Sequence, residues 1–299
     1  MDKNTLSNYG WIVIAVLVLA VMIALATPFG KYIESGVRST TAGLFDTSEK
    51  AMNVVGMSAG EGKFEDGYGE TSTTNLPTKG KTLEDYTWAE VQQIVQAGKA
   101  TEYGFSVGTT KSLTYNNNNY TAIIIGLDQD GANTATFMFT SSIGNHAMNN
   151  DYTNDGGFAA SNMNSWLNGT AYGLLGDDVK SAITPVAKTN NLGYENPGTS
   201  SDFGKLFLLS VKEIGFQDIL EHWGYYYMSS INAESSFTYT YFQTNSYNRR
   251  AEFANGDWFW LRSANSEYDG AFFRVDEIGN PSYNAAFDVG RVVPAFVIG

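Results

Sequence analysis

The sequence predicts an α+β fold for the larger part of this chain. A helix is expected directly after Thr87, because Thr87 and Glu90 have the spacing of a capping box and an apolar helical face follows them. Strands are predicted over residues 120–128 and 134–142, on either side of a Gln-Asp-Gly turn. Strands and helices mix along the chain without regular strand–helix–strand alternation, which favours α+β over α/β.

The later elements are predicted from the same hydrophobic spacing. Helices are expected over residues 158–168 and 177–187 and near 213–222, and a buried strand over residues 205–211. From Trp258 onward, aromatic and aliphatic strands alternate with loops of Asn, Ser, Tyr and Asp. This pattern predicts a sheet that holds polar loops in fixed positions.

The chain is predicted to have three parts. Residues 1–55 read as a transmembrane and amphipathic stem helix, residues 56–82 as a Gly-rich flexible linker, and residues 83–299 as the folded domain. Residues 11–27 carry no charge and reach the short limit for a bilayer-spanning helix, so they predict contact with a membrane. Two readings stay open for this segment: an uncleaved anchor, or a signal peptide cleaved after residues 24–26.

Composition excludes several classes of partner. The chain has 299 residues, a net charge of -13 and only 18 Lys and Arg residues. Nucleic acids and anionic lipid surfaces are recognised by clustered cations, so neither is expected as a partner. Cysteine is absent, which excludes disulfides, thiolate nucleophiles and Cys-based zinc sites.

Catalytic motifs are not apparent, and the sequence predicts a non-enzyme without a cofactor. The two histidines, His146 and His222, lack a partner at metal-ligand spacing, and no serine is predicted to lie in a nucleophile elbow. The adjacent Asp276 and Glu277 would point to opposite faces of a strand, which disfavours a hydrolase. Calcium is the one metal with some support. Its candidate ligands are Asp151, Asn154 and Asp155 in one run and Asp128, Asp130 and Asn133 in another, and Asx-rich turns are the favoured explanation for both.

The polar loops near the C-terminus are the predicted binding surface. Tyr supplies large contact area at low entropic cost, and Ser and Asn supply adaptable hydrogen bonds. The predicted ligand-binding residues are Asn265, Ser266, Tyr268, Asp269, Phe272, Asn280, Ser282, Tyr283, Asn284, Phe287 and Asp288. We expect Tyr268, Tyr283, Asn284 and Phe287 to be exposed close to one another, above a core that contains Trp260, Phe273, Val275 and Ala295.

Several segments also carry a resemblance to known proteins. They include Trp-Leu-Arg-Ser at 260–263, a strand about ten residues later, the closing Pro-Ala-Phe at 294–296, and Lys-Leu-Phe-Leu-Leu-Ser at 205–210. Together they resemble a bacterial family of uncharacterised lectin-like domains, whose fold is similar to that of C-type lectins and formylglycine-generating enzymes. The resemblance implies a C-type lectin-like domain over residues 83–299. The enzyme activity of the latter relatives depends on cysteines that this chain lacks.

Two further resemblances concern the ends of the chain. The apolar helix that continues into an amphipathic one resembles the stem of Flp-type pilins, which implies pilus subunits as partners. The Asn, Tyr, Asp and Ser residues interleaved between 265 and 288 resemble the variable region of targets of diversity-generating retroelements.

These observations predict a cell-surface receptor or adhesin that binds an extracellular protein or glycan. Its location would be the cell envelope, with the C-terminal domain outside. The alternative from another class is a structural minor pilin whose head has no dedicated ligand.

Overall fold

The computed structural model describes residues 76–216 and 231–299. The predicted membrane segment, the stem and most of the predicted linker lie outside these residues, as do His222 and most of the helix predicted near 213–222. All described residues belong to one unit, Ser72–Gly299.

The described residues form twelve strands and four short α-helices. The helices are α1 Trp88–Gln96, α2 Asn162–Trp166, α3 Asp177–Ala182 and α4 Ser246–Ala254. The strands are β1 Thr110–Tyr115, β2 Asn118–Leu127, β3 Ala135–Phe139, β4 Asn145–His146, β5 Ile183–Thr184, β6 Val186–Asn191, β7 Thr199–Gly204, β8 Phe259–Ala264, β9 Ala271–Val275, β10 Pro281–Ala285, β11 Gly290–Arg291 and β12 Ala295–Ile298.

The first sheet has five strands in the order β1-β2-β3-β12-β5. Every residue of β3 and β12 is buried, since these apolar strands lie in the interior of the sheet. The helix α1 begins at the predicted capping box of Thr87 and Glu90, which is confirmed. Its Trp88 packs edge-on against Phe137 and Phe296 with ring centroids 5.1 and 5.8 Å apart, which fixes the helix on the sheet.

The second sheet has five strands in the order β10-β9-β8-β11-β4, so β10 is an edge strand. The strands β8 and β9 pair antiparallel, and their register shifts between Trp260 and Ala264. The strands β9 and β10 form a hairpin that pairs Phe273 with Tyr283. Because β8 is buried at every residue, the loop from β8 to β9 emerges from a rigid base. A separate two-stranded sheet joins β6 and β7.

The predicted α+β class is wrong, because β-sheets dominate the described residues and the helices are few and short. The helix predicted over 177–187 ends at Ala182, and Ile183 and Thr184 instead pair with β12. Pro185 follows immediately, and proline disfavours helix in the residue before it. The helix predicted over 158–168 divides into 3₁₀, α and π turns.

The strand predicted over 205–211 also does not form. Only Phe207 makes a β-bridge, with Ala295, although Leu206, Phe207, Leu208 and Leu209 are all buried as expected of an apolar run. At the start of this run a side chain bonds the backbone where a neighbouring strand was expected. Asn168 Oδ1 accepts hydrogen bonds from the amides of Lys205 and Leu206.

The described part of the chain contains no helix that is both long and apolar enough to cross a bilayer. The segment at 11–27 for which a membrane helix was predicted is not among the described residues.

Candidate functional site

Four aromatic rings form an exposed surface beside the second sheet. Tyr152, Tyr268, Tyr283 and Phe287 are 52, 47, 40 and 49% exposed, and we call this group the tyrosine surface. The rings of Tyr268 and Tyr283 stack with centroids 5.0 Å apart and planes 19° apart. The rings of Tyr152 and Phe287 lie 5.9 Å apart. The predicted exposure of Tyr268, Tyr283 and Phe287 is confirmed.

The hairpin and its neighbouring loops hold these rings together. Tyr268 lies in the loop from β8 to β9, Tyr283 lies on the edge strand β10, and Phe287 follows that strand. Tyr152 comes from a distant loop and packs on Gly270, where φ is +81° and an added Cβ would lie 2.7 Å from Tyr152. Only glycine suits this conformation and this close approach, so Gly270 joins the two ring pairs.

A buried asparagine fixes the loop that carries Tyr268. The Nδ2 group of Asn154 donates to the backbone oxygens of Asn265, Tyr268 and Ala271 at 2.8, 3.0 and 2.8 Å. Its Oδ1 accepts from the amide of Tyr194 at 3.1 Å. Because Asn154 is 1% exposed, these bonds are shielded from water and hold the loop in one arrangement.

The residues predicted to lie beneath the surface are buried. Trp260, Val275 and Ala295 are 0% exposed and Phe273 is 1% exposed, which confirms the prediction for all four. The indole Nε1 of Trp260 donates to His146 O at 3.0 Å, so its polar atom is satisfied inside the core. The tyrosine surface therefore rests on a packed base.

Three of the predicted ligand-binding residues are not on the surface. Asn265, Ser266 and Phe272 are each 0% exposed, so we correct their assignment. The amide of Asn265 donates to Ala271 O and its Oδ1 accepts from Glu267 N, which closes a turn inside the domain. Phe272 packs in the core. A polar loop composition does not reveal which polar residues fold inward to bond the backbone.

The remaining predicted residues divide between the two ends of the hairpin. Asp269 is exposed beside Tyr268, while Ser282, Asn284 and Asp288 are partly exposed on or after β10. Asn280 lies in the turn at the opposite end of the hairpin, where its amide bonds Asp276 Oδ1 at 2.7 Å. We expected both loops to form one exposed face. Asn280 does not belong to that face, because the turn of a hairpin lies at the opposite end from its open strand ends.

The electrostatic environment of the tyrosine surface is acidic. The Tyr268 side chain, as a hydrogen-bond partner, raises the pKa of Tyr283, and partial burial and the negative charge of Glu267 act in the same direction. Tyr283 thus stays neutral through physiological pH and presents its hydroxyl group and ring face to the solvent.

A second cluster, buried and charged, was not predicted. It joins Asp130, Lys188, Glu213, Glu234 and Arg262, which come from five separate parts of the sequence. The Lys188 ammonium pairs with Asp130, with Glu213 at 3.1 Å, and with the Tyr239 hydroxyl at 2.8 Å. Arg262 pairs with the other oxygen of Glu213 and donates to Glu234 O at 3.1 Å.

The two buried glutamates have opposite pKa shifts. Burial opposes ionisation of Glu213, but the charges of Arg262 and Lys188 outweigh it and lower its pKa to about 2. Burial raises the pKa of Glu234 to about 7, and the nearby Arg262 offsets this only in part. Glu234 bonds the Ser263 hydroxyl and accepts from Asn191 N at 3.2 Å.

A cleft of about 220 Å³ opens beside this cluster, lined by Lys188, Glu213 and Glu234 among others. Divergent carboxyl pKa values in a cleft can indicate an acid–base pair. Here the polar atoms are already bonded to one another, because Lys188 has three partners and both oxygens of Glu213 and of Glu234 are engaged. The cluster therefore ties β6, β8 and the loops around Glu213 and Glu234 together.

Two of the residues considered as calcium ligands bond other groups of the protein. Asp128 Oδ1 accepts from the amides of Asn133 and Thr134, and Asp130 belongs to the buried cluster. Across the described residues no group of three His, Cys, Asp or Glu is placed to hold a metal ion.

Comparison with known proteins gives one family and no individual relative. No curated protein matches the chain, and no solved structure matches it. Nothing in these comparisons indicates a C-type lectin-like domain, a pilin, an adhesin or a retroelement target, so those interpretations are withdrawn. The model of the family described as Domain of unknown function (DUF6273) matches residues 133–299, which include the tyrosine surface and most of the buried cluster. Since this match covers more than half of the sequence, the chain belongs to the DUF6273 family.

Proposed function

We propose that this protein is a non-catalytic recognition protein that binds a macromolecular ligand, a protein or a glycan, through the tyrosine surface. The observation that carries the proposal is the set of four adjacent rings, each between 40 and 52% exposed, on a packed sheet. Exposed apolar residues that occur singly are ordinary, whereas grouped ones mark interaction sites.

The chemistry of tyrosine supports recognition at this place. A tyrosine ring offers a large apolar face and a hydroxyl that can donate or accept, and tyrosine is enriched among residues that dominate binding energy. The exposed carboxylate of Asp269, next to Tyr268 in the chain, adds an acceptor for directional hydrogen bonds. The same set of groups suits a sugar ring or a peptide.

The rigidity of the surface also favours binding. Asn154 holds the Tyr268 loop through three bonds, and Gly270 allows Tyr152 to pack against it. A surface that is already ordered loses little conformational entropy when a ligand binds. This is the arrangement expected of a binding surface and not of a passive linker.

A non-catalytic role is favoured by the use of the charged groups. The two buried carboxylates with shifted pKa values, Glu213 and Glu234, bond to residues of the protein itself. The tyrosine surface carries exposed rings and carboxylates but no histidine, lysine or arginine within the loops that form it. This combination of side chains favours ligand binding over catalysis.

The proposal is tested by screening the full chain on glycan and peptide arrays together with a Tyr268→Ala, Tyr283→Ala double variant. A ligand of the tyrosine surface should bind the wild type and lose affinity by about tenfold or more in the variant, because hot-spot truncations cost about 1–3 kcal/mol each. Phe203→Ala is the matched control, since Phe203 is 55% exposed on β7, outside the tyrosine surface.

Two results would count against the proposal. One is that neither array yields a ligand. The other is that every ligand found binds the double variant and the wild type equally, which would place binding elsewhere on the molecule. Loss of binding in Phe203→Ala alone would point to the β6–β7 hairpin.

A further inference from the structure

Carboxylates border the tyrosine surface, and cations are missing from it. Asp151 precedes Tyr152, Glu267 and Asp269 flank Tyr268, and Asp288 follows Phe287 in the chain. Across residues 145–157 and 264–290 the only Lys or Arg is Arg274. Its guanidinium is engaged, since it lies 3.5 Å from Glu277 and over the Trp258 ring at 5.0 Å.

Aromatic faces beside carboxylates favour a cationic ligand. A guanidinium or ammonium is attracted to a tyrosine face through a cation–π contact, and the attraction is stronger when water is excluded. The stacked Tyr268 and Tyr283 leave their outer faces available, and the charge of Glu267 already acts on Tyr283. A complementary negative potential also speeds association of a cationic partner.

The backbone of the edge strand offers a second kind of contact. The amide of Asp276 bonds Asn280 O at 2.8 Å, and the amide of Ala286 bonds Gly270 O at 2.7 Å. Along an antiparallel pair, the backbone amide and carbonyl groups of successive residues point alternately toward and away from the partner strand. The backbones of Ser282 and Asn284 therefore bond β9, and the amide and carbonyl of Tyr283 point away from β9. Within the described residues the structure gives the Tyr283 amide and carbonyl no partner.

We propose that the ligand of the tyrosine surface is a basic protein segment that lies extended along β10, with Arg or Lys side chains over the Tyr268 and Tyr283 rings. Strand addition supplies backbone bonds at Tyr283, and the acidic border selects the charge of the side chains. Pro281 lacks an amide proton and keeps the added strand short. This inference rests on the function proposed above and names the class of its ligand.

The test uses the full chain and three fluorescent octapeptides, (Gly-Arg)₄, (Gly-Gln)₄ and (Gly-Glu)₄, with binding measured by anisotropy at low and at physiological salt. Alternation places all four arginines on one face of an extended peptide. We expect (Gly-Arg)₄ to bind, to weaken as salt rises, and to lose affinity in the Tyr268→Ala, Tyr283→Ala variant. The other two peptides should not bind.

Neutralisation separates a specific site from general attraction to an acidic protein. The Glu267→Gln, Asp269→Asn variant should weaken (Gly-Arg)₄ by about two- to fivefold per carboxylate, the range of exposed ion pairs. The control is Asp177→Asn, Glu277→Gln, which removes the same charge at exposed sites away from the rings. Hydrogen exchange of the Tyr283 amide should slow when the peptide binds.

The outcomes distinguish this inference from the proposed function. If array ligands depend on the tyrosines while (Gly-Arg)₄ does not bind, the proposed function stands and the cationic class is wrong. If the two neutralised variants weakened binding equally, net charge alone would explain the attraction and the inference would be overturned. Unchanged exchange of the Tyr283 amide in the bound state would overturn the strand-addition geometry.

Discussion

At the scale of single residues, the exposed and buried aromatics of the C-terminal region have opposite roles. Trp260 fills the core beneath the sheet, and Tyr268 lies half-exposed above it. Trp260 belongs to an aromatic strand, whereas Tyr268 lies in a polar loop. Their different environments lead to different expected effects of the same substitution.

Trp260→Ala should lower the free energy of unfolding by about 3–5 kcal/mol, because it leaves a large cavity and removes the bond to His146 O. Tyr268→Ala should change it by less than about 0.5 kcal/mol, as is usual for exposed positions. Chemical denaturation monitored by circular dichroism measures both values. The assignment of core and surface is contradicted if Tyr268→Ala destabilises the fold as strongly as Trp260→Ala.

At the scale of elements, the hairpin of β9 and β10 and the loop before it act as one unit held by Asn154. The three carbonyls that Asn154 bonds belong to the first residue after β8, the loop and the start of β9. The loop therefore gains its order from a residue more than a hundred positions away in the sequence. Its own residues supply only part of the turn.

Asn154→Ala should lower the free energy of unfolding by about 1–3 kcal/mol, since it leaves buried carbonyl groups without a donor. It should also speed amide exchange across residues 265–271 more than elsewhere in the second sheet. Asn118→Ala is the control, because Asn118 is exposed and bonds only the nearby Asn116 O. Uniform acceleration across the whole domain would show that Asn154 supports the global fold and not this loop.

At the scale of the whole molecule, the buried cluster links distant parts of the described chain through charge. Glu213 has a folded pKa near 2, below its ordinary value. Its contribution to the free energy of unfolding is therefore present above about pH 4.5 and is lost as the pH falls toward 2. Glu234 has a folded pKa near 7, above its ordinary value. Its contribution to the free energy of unfolding is therefore complete below about pH 4.5 and is lost as the pH rises toward 7.

Stability should therefore be highest near pH 4.5 and decline on both sides, by at most about 1.4 kcal/mol per pH unit for each group. Urea denaturation at a series of pH values measures this profile. Glu234→Gln should flatten the decline between pH 4.5 and 7 and leave the acid side unchanged. A wild-type profile that rises from pH 4.5 to 7 would contradict the assignment of Glu234.

Local patterns were enough to predict the helix at Thr87, the burial of Trp260 and Phe273, and the exposure of Tyr268, Tyr283 and Phe287. These follow from local rules, since a capping box, an apolar strand and a ring within a polar loop each act over a few residues. The helix over 177–187 was predicted wrongly, because Pro185 disfavours helix in the residue before it and Ile183 pairs with Ile298 in β12.

Long-range contacts set which polar residues turn inward and which rings meet. Asn265 and Ser266 are buried because the backbone around them requires bonds that a distant Asn154 and a distant Glu195 complete. Tyr152 joins the surface because Gly270 lets it approach, and Glu213 meets Lys188 and Arg262 across three separate segments. Contacts of this kind depend on how strands pair across the whole domain, so no local pattern encodes them.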